Sequence, residues 1–174
     1  MSEKIMPNRL DRVFCQYQEE LEAKALKVLR SGWYVLGPEV EGFEREFADF
    51  TGSRYCVGLA SGLDALWMAF RVLGIGAGDE VIVQANTYIA SVMGITINGA
   101  TPVFAEPYIF FNLDVSRLEG LITERTRAVL AVHLYGQSSQ MDEIVRICRK
   151  HRLRLVEDCA QSHGACFQGK MTGT

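Results

Sequence analysis

The chain has 174 residues, of which 48% are apolar, and a net charge of −3. This length and composition predict a single domain with a hydrophobic core of its own. The Lys and Arg residues are scattered among acidic residues, which excludes the basic surface of a nucleic-acid-binding protein.

No apolar run approaches the roughly 20 residues that cross a bilayer, and the charged opening MSEKIMPNRLDR contains no signal-peptide hydrophobic region. A cytoplasmic protein without membrane contact is therefore expected. The cysteines are odd in number and form no CxxC pair, which favours reduced, mostly buried thiols over a zinc site. No metal is expected. The cysteines are Cys15, Cys56, Cys148, Cys159 and Cys166.

Apolar residues first repeat with helical spacing. An amphipathic helix is predicted over 16–30, and a second helix over 39–50. From residue 55 onwards, short apolar runs alternate with amphipathic stretches. Strands are predicted over 55–60, 80–84, 101–105, 127–134 and 152–158, with helices between them over 64–73, 88–98, 116–122 and 140–151.

This alternation is typical of βαβ units. It predicts an α/β fold with three layers, αβα, around a mostly parallel sheet. In such sheets ligands bind at the carboxyl ends of the strands. Polar residues at those ends are therefore the candidates for a binding site.

The first strand end carries LASGLDAL, where Gly62 and Leu63 open a helix. Glycine allows a ligand to approach the backbone closely, and the free amides of a helix start suit a phosphate. The same residues also fit a simple turn with Ser61 or Asp64 as the helix cap. The glycines of GIGAGD (74–79) lie between a helix and a strand, which is the reverse of the dinucleotide-binding order.

Two further strand ends carry aromatic or titratable groups. In QANTYIAS, Tyr88 opens a helix and offers a planar ring that could stack on a planar ligand or simply pack. In VHLYG, the predicted role of His133 is a hydrogen bond within the fold.

The last strand ends in LRLVEDCAQSHGA. Glu157 and Asp158 are neighbours on this strand, so their side chains point to opposite faces of the sheet. A carboxylate at the end of a buried strand needs a partner, and a cationic ring nitrogen would supply one. Pyridoxal phosphate (PLP) has such a nitrogen, a ring to stack on Tyr88 and a phosphate for Gly62 and Leu63.

Five sequence blocks occur together in order: SGWYVLGPEVEGFEREFADFTG, GLASGLDAL, GDEVIVQANTYIAS, TERTRAVLAVHLYGQSSQMDEI and VEDCAQSHGACFQGK. Together they resemble the DegT/DnrJ family of PLP-dependent sugar aminotransferases over about residues 16–174. The resemblance implies the aspartate-aminotransferase (type I) fold. It is closest to the branch that aminates the 3-keto carbon of nucleotide-linked 6-deoxyhexoses.

Carried over residue by residue, the resemblance implies that Asp158 pairs with the pyridine nitrogen and keeps it protonated. It also implies that Tyr88 stacks on the ring, that Gln161 lies near the ring 3-hydroxyl, and that the backbone of Gly62 and Leu63 holds the phosphate. Many relatives have threonine where Leu63 stands, so a hydroxyl contact to the phosphate is missing. The SGWYVLG segment resembles the loop at the sugar-nucleotide entrance.

The family's Schiff-base lysine is expected beyond Thr174, and Lys170 in QGKMTG is not expected to replace it. No catalytic residue is therefore assigned within the chain, and the isolated chain is expected to be inactive. The implied organisation is a helix and lead-in segment over 1–32, then an incomplete PLP-binding large domain over 33–174, without the C-terminal small domain. The implied partners are a nucleotide-linked keto sugar, glutamate as amino donor and, for the full-length parent, a second subunit in a homodimer.

Three alternatives remain open at this stage. A related branch of the family replaces the lysine with histidine and dehydrates the sugar at C-3. A non-catalytic fragment could instead serve only for binding or dimerisation. An unrelated doubly wound nucleotide-binding domain would require a glycine-rich fingerprint, which the sequence lacks.

Overall fold

A computed structural model describes residue 6 and residues 8–174. Its regular structure is helical as far as Val72, and from Glu80 onwards strands alternate with helices. The α-helices are α1 (Leu10–Gln16), α2 (Gln18–Ser31), α3 (Pro38–Thr51), α4 (Gly62–Val72), α5 (Ile89–Thr96), α6 (Val115–Leu118) and α7 (Met141–His151). The strands are β1 (Glu80–Gln84), β2 (Thr101–Ala105), β3 (Thr126–Val132), β4 (Arg154–Asp158), β5 (Cys166–Phe167) and β6 (Lys170–Met171).

The main sheet has four parallel strands in the order β2-β1-β3-β4. The chain leaves β1 through α5 to reach β2, and then crosses to β3 on the other side of β1 through α6. The order therefore reverses between β1 and β3, and such a reversal opens a crevice at the carboxyl ends of the strands. The predicted mostly parallel sheet is confirmed.

Side chains of the central strands alternate between two hydrophobic clusters, one on each face of the sheet. Val81 and Val83 face the first cluster with Leu66, Phe70 and Ile95 of α4 and α5. The second cluster lies on the opposite face and contains Ile82, Leu118, Val129, Ala131, Ile144 and Ile147, which come from β1, β3, α6 and α7. Helices thus cover both faces, and the predicted three-layer arrangement is confirmed.

Local sequence explains the helix boundaries. Pro38 begins α3, where its missing amide hydrogen is not needed, and Gly52 ends α3 with a positive φ of 76°. The Ser61 side chain accepts a hydrogen bond from the Asp64 amide and so caps α4. In α7, acidic residues occupy the first turn and basic residues the last turn, in agreement with the helix dipole.

Two predictions at the amino-terminal side need correction. The helix predicted over 16–30 is interrupted at Tyr17, so α1 and α2 are separate helices, and neither buries a residue. The strand predicted over 55–60 is wrong, because this segment has no ladder partner among the described residues. The amide of Gly58 donates instead to Glu44 Oε1 at 2.7 Å, a side chain of α3.

Within the described ranges, none of the helices combines the length and the apolar character that crossing a bilayer requires. The last described residues form a small antiparallel hairpin of β5 and β6, separate from the main sheet. Because the four strands of the main sheet are parallel, their carboxyl ends lie together at one edge of the sheet.

Candidate functional site

A cavity of about 510 Å³ lies at the carboxyl ends of the strands. Four segments of the chain line it: the start of α4, the turn into α5, the end of β3 and the turn after β4. All five residues expected to bind the cofactor are in this lining, namely Gly62, Leu63, Tyr88, Asp158 and Gln161. The structure thus brings together residues that are as far as 99 positions apart in the chain.

The start of α4 presents free backbone amides to the cavity. The Ser61 hydroxyl caps the Asp64 amide at 3.1 Å, and the Ala65 amide bonds Ser61 O, also at 3.1 Å. Among the described residues, the amides of Gly62 and Leu63 have no protein acceptor. A Cβ added at Gly62 would meet nothing within 4 Å, so the space in front of this helix start is open.

The Asp64 carboxylate, in the first turn of α4, has two side-chain donors of its own. The Trp67 indole N–H donates to Oδ1 at 2.9 Å, and the Ser61 hydroxyl donates to Oδ2 at 2.9 Å. These two hydrogen bonds lower the pKa of Asp64, with the bond from Trp67 as the larger cause. A negative charge in the first helical turn is also favoured by the helix dipole.

Tyr88 is the residue before α5 and is 70% exposed. Its backbone is extended, with φ −69° and ψ 147°, so the chain turns sharply between β1 and α5. This turn places Tyr88 in the cavity lining beside Ile89 and Met93. An aromatic ring that is exposed in this position has a free face for a planar ligand.

Asp158 ends β4 and lines the cavity without a basic partner in the part of the chain that the structure describes. Its Oδ2 accepts a hydrogen bond from the Ser91 hydroxyl at 3.0 Å, and its Oδ1 accepts one from the Ala160 amide at 3.1 Å. A carboxylate oxygen has two lone pairs, so each oxygen keeps one acceptor site. The group can therefore still pair with a cationic ligand.

Gln161 is held by the loop after β3. The Tyr135 amide donates to Gln161 Oε1 at 2.7 Å. Tyr135 adopts a positive φ of 58°, which is uncommon for a residue with a side chain and which directs its amide into this contact. Since the side-chain oxygen is occupied, the Gln161 NH₂ group remains as a donor for a ligand oxygen.

Glu157 faces away from Asp158, as the alternation of side chains along a strand predicts. Its Oε2 lies 3.0 Å from His133 Nε2 and accepts from the Gly173 amide at 2.9 Å. His133 is fully buried and also accepts at Nδ1 from the Ser139 amide at 3.0 Å. The predicted role of His133 as a hydrogen-bonded residue within the fold is confirmed.

The His133 ring, Glu157 and Cys159 have ligand atoms within 4.8 Å of one another. Burial lowers the pKa of His133, whereas Cys159 and the Glu157 carboxylate raise it, to about 9. A pKa of about 9 would make the ring cationic at neutral pH, but a cationic ring would set its own Nδ1–H against the Ser139 N–H at 3.0 Å. This contact decides against the cation, because only a neutral ring has a lone pair at Nδ1 to accept. We assign the neutral ring with its proton on Nε2, donated to Glu157. This tautomer leaves no lone pair at Nε2 for a metal ion.

Lys170 and the SGWYVLG segment both lie outside this cavity. Lys170 is exposed in the β5–β6 hairpin and does not line the cavity. Trp33 and Tyr34 line a separate cavity of about 220 Å³ between α2 and α3. The Trp33 indole donates to Val35 O at 2.9 Å, and the Tyr34 hydroxyl donates to Leu29 O at 3.0 Å.

The residues around the main cavity fit PLP in chemistry. The free amides of the α4 start suit its phosphate, the incompletely used Asp158 carboxylate suits its ring nitrogen, and the free NH₂ of Gln161 suits a ring oxygen. The volume is also in the usual range for a ligand pocket, about 300–1,000 Å³.

Sequence reasoning missed a buried hydroxyl behind the cavity and the apolar part of the cavity wall. Ser91 contacts Asp158 but lies within a helix, where no strand-end rule indicates it. The Thr87 hydroxyl, in the turn before α5, donates to Ser91 at 2.8 Å, and no local sequence pattern indicates this pair. The apolar wall, which includes Leu66 and Met93, has no signal beyond ordinary helix amphipathicity.

Comparison with protein families gives a match over residues 15–174 to the DegT/DnrJ/EryC1/StrS aminotransferase family. The chain belongs to this family. The resemblance noted in the sequence is thereby confirmed over nearly the whole chain.

A curated relative from Aneurinibacillus thermoaerophilus, a dTDP-3-amino-3,6-dideoxy-alpha-D-galactopyranose transaminase, is 51% identical over 95% of this chain and 46% of its own length. A dTDP-3-amino-3,4,6-trideoxy-alpha-D-glucose transaminase from Streptomyces venezuelae is 48% identical over 94% of this chain and 44% of its own length. The chain thus spans about half the length of the curated relatives it matches.

Among solved structures, S. venezuelae DesV in complex with a ketimine intermediate superposes with a TM-score of 0.97 at 45% identity. The match covers 99% of this chain and 47% of DesV. This similarity confirms the predicted type I fold. The family is PLP-dependent.

Proposed function

We propose that this chain forms the cofactor-binding part of a nucleotide-sugar aminotransferase. In this proposal, residues 33–174 belong to the PLP-binding large domain, and 1–32 lead into it. The whole protein transfers an amino group from glutamate to the 3-keto carbon of a dTDP-linked 6-deoxyhexose. It works in the cytoplasm as a homodimer.

The observation that carries the proposal is the incompletely used carboxylate of Asp158 in a cavity that also contains a free helix start. Asp158 has no positive partner among the described residues, although it lies at the end of a partly buried strand. Such a group is stabilised by a cation in the cavity. A pyridinium nitrogen would be that cation.

When bound, PLP would supply an electron sink and would carry the amino group between the donor and the sugar. Asp158 would keep the proton on the ring nitrogen, which maintains that sink. Tyr88 would fix the plane of the ring, and Gln161 would donate to the ring oxygen through its NH₂ group. The amides of Gly62 and Leu63 would hold the phosphate without the extra hydroxyl that many relatives have.

Binding to the chain can be tested with PLP itself. We expect saturable binding in an absorbance titration and, after borohydride reduction, no adduct on Lys170 by intact mass and peptide mapping. The control is Lys170→Arg, which should give the same titration. An adduct specific to Lys170 would assign a catalytic role to that lysine. It would contradict the proposal that the Schiff-base lysine lies downstream of this chain.

The activity requires the longer protein. We expect ¹⁵N from labelled glutamate to appear in a dTDP-3-amino sugar when a protein that includes this chain and the downstream lysine is assayed. The 174-residue chain alone should show no turnover, because no lysine lines its cavity. Turnover by the isolated chain, or loss of the 3-oxygen without amination by the longer protein, would contradict the proposal.

A further inference from the structure

Three polar side chains form a continuous hydrogen-bond chain next to the cavity. The Thr87 hydroxyl contacts the Ser91 hydroxyl at 2.8 Å, and the Ser91 hydroxyl contacts Asp158 Oδ2 at 3.0 Å. Ser91 is fully buried, so water does not compete for these bonds. The chain connects the turn after β1 to the end of β4, which are not neighbouring strands in the sheet.

The direction of this hydrogen-bond chain follows from proton counting. Each hydroxyl has one hydrogen, and an ionised carboxylate only accepts. Ser91 must therefore donate to Asp158, and its oxygen is left to accept from Thr87. With the Ala160 amide on Oδ1, both oxygens of Asp158 are held, so rotation of the carboxylate is restricted.

The same turn also carries Tyr88, which lies between Thr87 and Ser91. The Ser91 amide bonds Tyr88 O at 3.0 Å, and the Thr87 amide bonds Gln84 O at 3.3 Å. One short segment thus carries both an aromatic side chain of the cavity lining and the hydroxyl that bonds the Asp158 carboxylate. A change in the hydroxyl pair would alter the orientation of the acid relative to the ring.

We propose that Ser91, supported by Thr87, is a positioning residue that holds the Asp158 carboxylate in the orientation required by the cofactor's ring nitrogen. This inference rests on the proposed function. Neither residue touches the ring nitrogen in this scheme, and both act through Asp158. Geometry of this kind matters because a hydrogen bond to a charged ring weakens steeply when its angle is poor.

The test uses pyridoxamine phosphate labelled with ¹⁵N in the ring, which cannot form imines with surface lysines. We expect Ser91→Ala to weaken the binding of pyridoxamine phosphate by about three- to tenfold, which is the usual contribution of one hydrogen bond. We also expect the ring ¹⁵N shift to move toward the unprotonated value at fixed pH. Thr87→Val should give a smaller change in the same direction, and Thr87→Ser should restore both readouts.

Thr126→Val is the matched control, because it removes a buried hydroxyl at the opposite end of the sheet, where Thr126 accepts from the Thr123 amide. It should lower stability without changing the ¹⁵N shift of the bound ligand. Thr87 is only partly buried, so Thr87→Val keeps the test valid if Ser91→Ala does not fold.

The outcomes separate this inference from the proposed function. If Asp158→Asn binds the ligand like the unmodified chain, the proposed function fails and this inference fails with it. If Asp158→Asn weakens binding but Ser91→Ala and Thr87→Val leave both affinity and ¹⁵N shift unchanged, only the positioning role is wrong. A ¹⁵N change that Thr126→Val reproduces would likewise reject it.

Discussion

The two ends of the sheet carry carboxylates with different surroundings. At the amino ends of the strands, Glu80 is 5% exposed and accepts from the Thr123 hydroxyl while it pairs with Arg125. Asp79 pairs with Arg127 nearby at 3.3 Å. At the carboxyl ends, Asp158 has a hydroxyl and an amide as partners and faces a cavity.

Under the proposed function, this difference separates charge that serves folding from charge that is available to a ligand. The acids at the amino ends are neutralised by residues of the chain itself, so these contacts stabilise the fold. The acid at the carboxyl ends keeps acceptor capacity that the described residues do not use. Substitutions at the two ends should therefore affect different properties.

Asp158→Asn should have the largest effect on ligand binding. We expect it to weaken pyridoxamine phosphate binding by about 10- to 100-fold, since a hydrogen bond to a charged group contributes about 1.5–3 kcal/mol. Its thermal midpoint should change little, because the amide can still accept from Ala160. Isothermal titration calorimetry and thermal melts measure both properties.

The matched substitution at the other end is Glu80→Gln, which should leave the affinity unchanged. Equal loss of affinity in both variants would mean that the sheet transmits changes between its ends. The distinction between a folding end and a binding end would then be wrong.

Gly94→Ala should change stability and cavity shape together. A Cβ at Gly94 would lie 2.7 Å from Leu66 Cβ, where α5 packs on α4. Overpacking of this kind costs about 1–3 kcal/mol. Both helices begin at the cavity, so a shift between them should also reduce affinity.

The control for this substitution is Gly42→Ala in α3, where an added Cβ meets nothing within 4 Å. This change should stabilise the chain slightly, since alanine is the better helix former. Urea unfolding compares the two variants, and a neutral Gly94→Ala would show that the α4–α5 contact can relax at no cost.

Tyr88→Ala should have a smaller effect that is confined to binding. Tyr88 is largely exposed, so its loss leaves the core intact. Stacking of aromatic groups contributes about 0.5–1.5 kcal/mol, which corresponds to a loss of affinity of about two- to tenfold. Tyr88→Phe should bind like the unmodified chain, and a loss in that variant would assign the effect to the hydroxyl.

The sequence predicted the fold well where hydrophobic period and strand ends carry the information. Glu157 and Asp158 face opposite sides because side chains alternate on a strand, and Tyr88 and Asp158 line one cavity because parallel strands end at one edge. The segment 55–60 was predicted wrongly, since an apolar run does not show whether a ladder partner is present. Ser91 and the backbone of Tyr135 depend on tertiary contacts, which no local pattern encodes.

The smallest expected effect concerns acid stability at the amino ends of the strands. The Thr123 hydroxyl, followed by Arg125 and Thr126, lowers the pKa of Glu80 below its ordinary value of 4.5, although burial opposes this. A lowered pKa means that the folded state holds the proton less tightly than the unfolded state does. The contribution is therefore present above pH 4.5 and is lost as the pH falls through the folded value. We expect Glu80→Gln to have the lower thermal midpoint at pH 7 and to approach the unmodified chain as the pH falls below 4.5. A difference between their midpoints that is independent of pH would show that the carboxylate charge is not what stabilises this end.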